Sequence, residues 1–210
     1  MSGGRTRDWI EVGATVLLAL AAVATAWSSY QATRWNGEQA KTSSRVNKAR
    51  IEAARASDLA NAQQQVDVAT FMQWVDSYAR DETELVSFYR ERFRQEFRPA
   101  FDAWIATKPL RSEGAPLTPF AMPQYQLAAK AEAGRLDRTA EELAADVRRD
   151  IQRASNYVLG VVLFAVALFF AGMSTKLAAP GLRTTMLGVG YVLFVGTAVW
   201  IATFPVSVAI

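Results

Sequence analysis

The sequence predicts an all-α integral membrane protein with three transmembrane helices and a long helical extramembrane stalk. Three observations carry that expectation. Charge-free apolar tracts lie near both ends of the 210-residue chain, the residues between them are polar and rich in helix formers, and four of the seven prolines fall within residues 108–123. The predicted organisation is an N-terminal transmembrane helix over 1–30, a helical stalk over 31–156 with a loop at 108–123, and a transmembrane hairpin over 157–210.

The first tract, Val12 to Trp27, carries no charge and is flanked by Trp9 on one side and Tyr30 on the other. With its neighbours it reaches ~20 residues, enough to cross the ~30 Å hydrocarbon core at 1.5 Å per residue. The aromatic residues fall where headgroups meet hydrocarbon. Arg5, Arg7 and the Ala24-Thr25-Ala26 triplet also suit a cleaved secretory signal. The apolar run is long for a signal core, so a retained membrane helix is expected. The second tract runs from Tyr157 to Met173 and the third from Met186 to Ile210. Lys176 to Arg183 contains Pro180-Gly181 and reads as a tight turn joining the two as an antiparallel hairpin. Only helices satisfy the backbone inside lipid in such spans.

Basic residues set the expected orientation. On the stalk side stand Arg34, Lys41, Arg45, Arg138, Arg148, Arg149 and Arg153, against Arg5, Arg7, Lys176 and Arg183 on the other. The excess of positive charge favours a multi-pass inner-membrane protein with a cytoplasmic stalk.

Residues 38 to 98 are expected to be helical throughout most of their length. A thin stripe of Val46, Ala49, Ala53, Ala56 and Ala60 gives way to a broad one of Phe71, Val75, Tyr78, Leu85, Tyr89, Phe93 and Phe97. After the proline loop, Leu136, Leu143, Val147, Ile151, Ala154 and Val158 form a near-heptad line running into the second span, the pattern of a coiled coil or helical bundle. As one helix, Ser28 to Ala106 would extend ~118 Å against ~50 Å for the returning arm, so the outgoing arm must break. Asn36-Gly37 is one candidate. Asp81 with Glu84, a capping box, is the other.

The most distinctive stretch is Thr25-Ala-Trp-Ser-Ser-Tyr-Gln-Ala-Thr-Arg-Trp35-Asn-Gly37. Trp27, Tyr30 or Gln31, Arg34 and Glu38 share a helical face. That face is either an interfacial anchor or a contact for lipid headgroups or a partner, with Trp35 beside it and Arg34 available for cation–π contact. The TAWSSYQATRW-x-G stretch after an apolar N-terminal span resembles a family of bacterial three-span membrane proteins with no assigned activity. The resemblance implies the three-span plan and no function.

Arg148, Arg149 and Arg153 cluster where anionic headgroups would lie before the second span. Arg90, Arg94 and Arg98 are expected on one solvated helical face with local ion pairs. Glu11 is the one ionisable residue that can enter a span. It stands at the span's edge or, in a pore, at the mouth. Gly188-Val189-Gly190-Tyr191 lacks the Thr before Val and the Gly after Tyr that a potassium filter needs. Gly188, Gly190, Gly196, Ala167 with Ala171, and Ala22 with Ala26 are instead expected to let helices approach closely.

The chain has no Cys and no His. That excludes disulfides, thiolate nucleophiles, Ser-His triads and ordinary zinc, haem or iron–sulfur sites. With 23 basic and 20 acidic residues the net charge is only +3, too balanced to argue for nucleic acid. No phosphate-binding glycine loop, metal-ligand spacing or facing acid–base pair is present. The expected function is therefore non-enzymatic and needs no cofactor: a membrane scaffold or accessory subunit, touching lipid and assembling as a homo-oligomer or with another membrane protein. The Phe71–Phe97 stripe is too broad for one hairpin to bury. The alternative is an oligomeric channel with Thr15, Thr25, Thr197 and Thr203 as its polar lining.

Overall fold

A computed structural model describes residues 3–109, 111–112 and 114–207, with side chains from residue 9 onward. The side chains of Arg5 and Arg7, Leu110 and Glu113 of the proline loop, and residues 208–210 of the third apolar tract lie outside the described residues. The chain is all-α: among the described residues there are five α-helices, one 3-10 turn and no strand. They are α1 (Gly3–Ala79), α2 (Thr83–Arg92), α3 (Arg98–Ala106), the 3-10 turn Pro119–Ala121, α4 (Ala128–Lys176) and α5 (Pro180–Ala202). α1, α4 and α5 are each long and apolar enough to cross a membrane. Two compact units divide the chain, Met1–Ser44 with Leu143–Ile210, and Arg45–Glu142.

In the first unit the apolar parts of α1, α4 and α5 pack through small residues. On α1 the buried line is Ala14, Leu17, Ala21, Ser28, Gln31 and Trp35, spaced by three, four or seven residues. On α4 it is Ala154, Tyr157, Phe164, Ala167, Ala171 and Ser174. Large apolar side chains point the other way: Val12, Val16, Leu20 and Val23 on α1, Val162, Val166 and Phe169 on α4, and Val192, Val195 and Val199 on α5 are exposed. An apolar exterior over a small-residue interior is the pattern that lipid, not water, stabilises.

Several expectations shift by a residue or more. Ala22 and Ala26 face outward, and Ala14, Ala21 and Ser28 take the packed face. Gly188 and Gly196 meet nothing, whereas Gly190 is the close approach. A Cβ there would lie 3.1 Å from Leu17 Cδ2 and 3.4 Å from the Ala167 carbonyl oxygen. Pro180 does not sit in the turn; it opens α5, where its missing N–H costs nothing. Ile151 and Val158 are exposed, because the buried line of α4 steps from Val147 (half-buried) to Asp150, Ala154 and Tyr157.

α1 passes Gly37 without a break and stops at Ala79, in the second unit. Its end is a Schellman motif. Asp81 takes φ 60°, its N–H bonds the Tyr78 carbonyl at 3.2 Å, and the Glu82 N–H bonds the Ser77 carbonyl at 3.0 Å. The Asp81–Glu84 capping box does not form: the residue before α2 is Glu82, without a side-chain cap. The chain breaks again between Phe93 and Phe97, so Arg90, Arg94 and Arg98 fall on α2, the turn and α3 rather than on one helical face. That second break folds α2 and α3 back so that Phe71, Trp74, Phe93, Phe97, Phe101 and Trp104 bury one another, with Phe120 and Tyr125 packed against them. Of the stripe expected to need a partner, Phe71, Phe93 and Phe97 are buried by their own chain at no more than 6% exposure, whereas Val75, Tyr78 and Leu85 remain exposed.

Candidate functional site

In the first unit the distinctive stretch splits between two faces of α1. Trp27 and Tyr30 are about half exposed, their ring centroids 6.0 Å apart. Gln31 is wholly buried, and its amide brackets the chain after α5. Its Oε1 accepts from the Ser207 N–H at 3.0 Å and its Nε2 donates to the Ser207 carbonyl at 3.5 Å. The Tyr157 hydroxyl donates to the Pro205 carbonyl at 3.2 Å, so two side chains hold the same tail. Trp35 is buried, and the guanidinium above its ring belongs to Arg153, 4.5 Å from the centroid, not to Arg34. Arg153 is also held by Asp150 at 3.2 Å. The indole N–H of Trp35, Ser28 Oγ and Arg34 Nε are buried with no hydrogen-bond partner. Arg148 and Arg149 are exposed, and Arg149 pairs with Asp146 one turn away. Of the expected contact residues, then, Trp27 meets Tyr30 along α1, and Trp35 meets Arg153 across from α1 to α4.

Glu11 and Arg183 lie close together. Arg183 is 6% exposed, donates from Nε to the Ser174 carbonyl at 3.1 Å and reaches Glu11 Oε1 from Nη2 at 3.4 Å. The Tyr191 hydroxyl donates to the Gly13 carbonyl at 2.9 Å. Of the threonines that would line a pore, Thr15, Thr25 and Thr203 give their hydroxyls to carbonyls of their own helix, and Thr197 is buried.

The second unit holds residues that sequence reasoning did not single out. Asp67 is wholly buried. Its Oδ2 accepts from Arg94 Nη1 at 2.9 Å and from the Tyr125 hydroxyl at 3.1 Å, while its Oδ1 has no partner. Arg94 also pairs with Glu96, whose other oxygen accepts the Ala128 N–H at 3.1 Å at the start of α4. Burial raises the Asp67 carboxyl above its ordinary value against the lowering effect of Tyr125 and Arg94. Burial, with the Asp67 charge beside it, pushes the Tyr125 hydroxyl above the ordinary tyrosine range. One sequence signal was present: Ala60, Gln63, Asp67, Phe71 and Trp74 keep the spacing of the buried stripe, so an acid stands where only a satisfied polar group is tolerated.

In the same unit a cavity of about 500 Å³ opens among α1, α2 and α3. Trp74, Tyr78, Val86, Phe101, Trp104 and Ile105 form its apolar wall, and Arg90, Lys108 and Arg111 supply its charge. Lys108 takes φ 53° at the end of α3, where its N–H bonds the Ile105 carbonyl at 3.0 Å and Pro109 prevents the helix from continuing. Trp104 is fixed by an indole N–H bond to the Pro116 carbonyl at 2.7 Å. Among the described residues no three acids stand close enough to hold a metal ion. No protein-family model, curated protein or solved structure matches this chain.

Proposed function

We propose that the chain is a non-enzymatic membrane scaffold or accessory subunit that assembles through its polar helical segment, with a second copy of itself as the partner. The observation that carries this reading is an apolar line on α1 turned away from the buried stripe. Ile51, Leu59 and Val66 are each more than half exposed, while Val46, Ala49, Ala53 and Ala60 on the opposite face are buried. Leu59, Ala62, Val66 and Ala69 follow one another by three, four and three residues, all exposed. Alternating large and small side chains at that spacing suit the interlocking of two like helices in a coiled coil. The basic residues flanking the spans support a cytoplasmic location for this segment in a bacterial inner membrane, with lipid around α1, α4 and α5.

The cysteine-free sequence makes the test direct. Leu59→Cys and Val66→Cys in the full-length protein, oxidised in native membranes, are expected to form disulfide dimers. Arg50→Cys, exposed on a different face, is expected to stay monomeric. A single-protomer mass in nanodiscs, together with no crosslink at either position, would remove the reading.

A further inference from the structure

We infer that the cavity lined by Trp74, Tyr78, Val86, Phe101, Trp104 and Ile105 is a binding site for a single-chain amphiphile with one anionic head group. Its volume, about 500 Å³, falls within the ~300–1,000 Å³ of small-molecule sites. The walls are aromatic and aliphatic, and among the described residues every charged one that lines them is a cation: Arg90, Lys108 and Arg111. An apolar ligand alone gives no reason for three cations around one hydrophobic space, and a polar anion alone gives none for the wall. The combination fits a molecule with an apolar body and a charged end.

The three cations are not equally committed. Arg90 pairs with Asp102 at 2.9 Å and lies 5.9 Å from the Phe101 ring centroid, so it is held in place and partly neutralised. Lys108 and Arg111 are exposed and make no ion pair among the described residues. Their charge is therefore available to a ligand head group, and Arg111 offers the fork that grips a carboxylate or phosphate with two N–H groups. The left-handed turn at Lys108 fixes where that charge stands, since α3 ends there and Pro109 follows. A two-chain membrane lipid is too large for the space, so the occupant is a free single-chain molecule. The wall of Trp74, Phe101 and Trp104 is also the edge of the unit's aromatic core, so a bound tail would extend that core.

The test uses the full chain in lipid nanodiscs, titrated calorimetrically with decanoate against empty nanodiscs. Saturable binding at one decanoate per chain is expected, with decanol and decyltrimethylammonium at least tenfold weaker. Lys108→Gln with Arg111→Gln, both at exposed positions, should weaken decanoate roughly tenfold, the effect of two rim charges. Val75→Phe, which fills the cavity from its rim, should abolish binding. Equal heats for the anionic and cationic decyl probes would overturn the proposal, as would decanoate binding untouched by both variants or no heat beyond that of empty nanodiscs. None of these outcomes depends on whether the chain self-associates.

Discussion

Asp67 concentrates the second unit's electrostatics on one buried carboxylate with one unbonded oxygen. Arg94, Tyr125 and Glu96 are the titratable groups around it. Its carboxyl is raised from 3.8, so the folded chain holds this proton more tightly than the unfolded chain does. Stability then falls as pH rises from about 3.8 through the raised folded value, since ionising Asp67 costs more in the fold than in water. Asp67→Asn fixes the neutral form. Its melting temperature relative to wild type should therefore become more favourable as pH is raised from 4 to 8, and a difference that shrinks over that range would contradict the raised value. Arg94→Met is a different matter, because it leaves the buried carboxylate without its cation. A loss of about 2 kcal/mol is expected at pH 7, below the ~3–5 kcal/mol of fully buried pairs because Arg94 keeps some solvent contact. The loss should be smaller at pH 4, where Asp67 is closer to neutral.

The ends of the helices depend on residues whose role is only partly legible in sequence. Asp81 occupies a left-handed position that glycine takes without strain, at a cost to a side-chain residue of roughly 1 kcal/mol. Asp81→Gly should raise the melting temperature modestly. Asp81→Val should lower it by the equivalent of about 1–2 kcal/mol. If the two variants melt alike, the Schellman end is not what stops α1. Asp81 with Glu84 was one of two candidates for the break that the helix-length mismatch demanded, yet the mechanism was hidden because Asp also suits an N-cap, and Asp81–Glu84 imitates a capping box. Gly37 was the other, and a single exposed glycine does not interrupt a helix packed along its opposite face. The break at Phe93–Phe97 left one local trace, Pro99 in the first turn of α3. Its aromatic and arginine residues keep i, i+4 spacing, and the gain from clustering six aromatic residues, Phe71 among them, outweighs continuing the helix. The cavity follows from that fold-back, so its wall and its cations were invisible as a set.

For the molecule as a whole, the legible part was the apolar and polar partition, because membrane spans are set by length and charge rather than by partners. What stayed hidden was which residues of each span face inward. In the first unit the three long helices converge through Leu17 of α1, Ala167 of α4 and Gly190 of α5. Gly190 has a side chain on one side and a backbone carbonyl on the other, so added atoms cannot be accommodated by a rotamer change alone. Gly188, two residues earlier, faces outward with nothing within 4 Å. Gly190→Ile and Gly188→Ile thus make the same chemical change in the same helix with opposite surroundings. Gly190→Ile is expected to separate the helices and cost about 1–3 kcal/mol, lowering the melting temperature in detergent. Gly188→Ile should melt at or above the wild-type temperature, since it adds apolar surface facing lipid and favours the helix. Equal destabilisation by both would mean that α5 does not meet its neighbours through Gly190, and that the small residues lining α1 and α4 are not the contact that holds the three spans together.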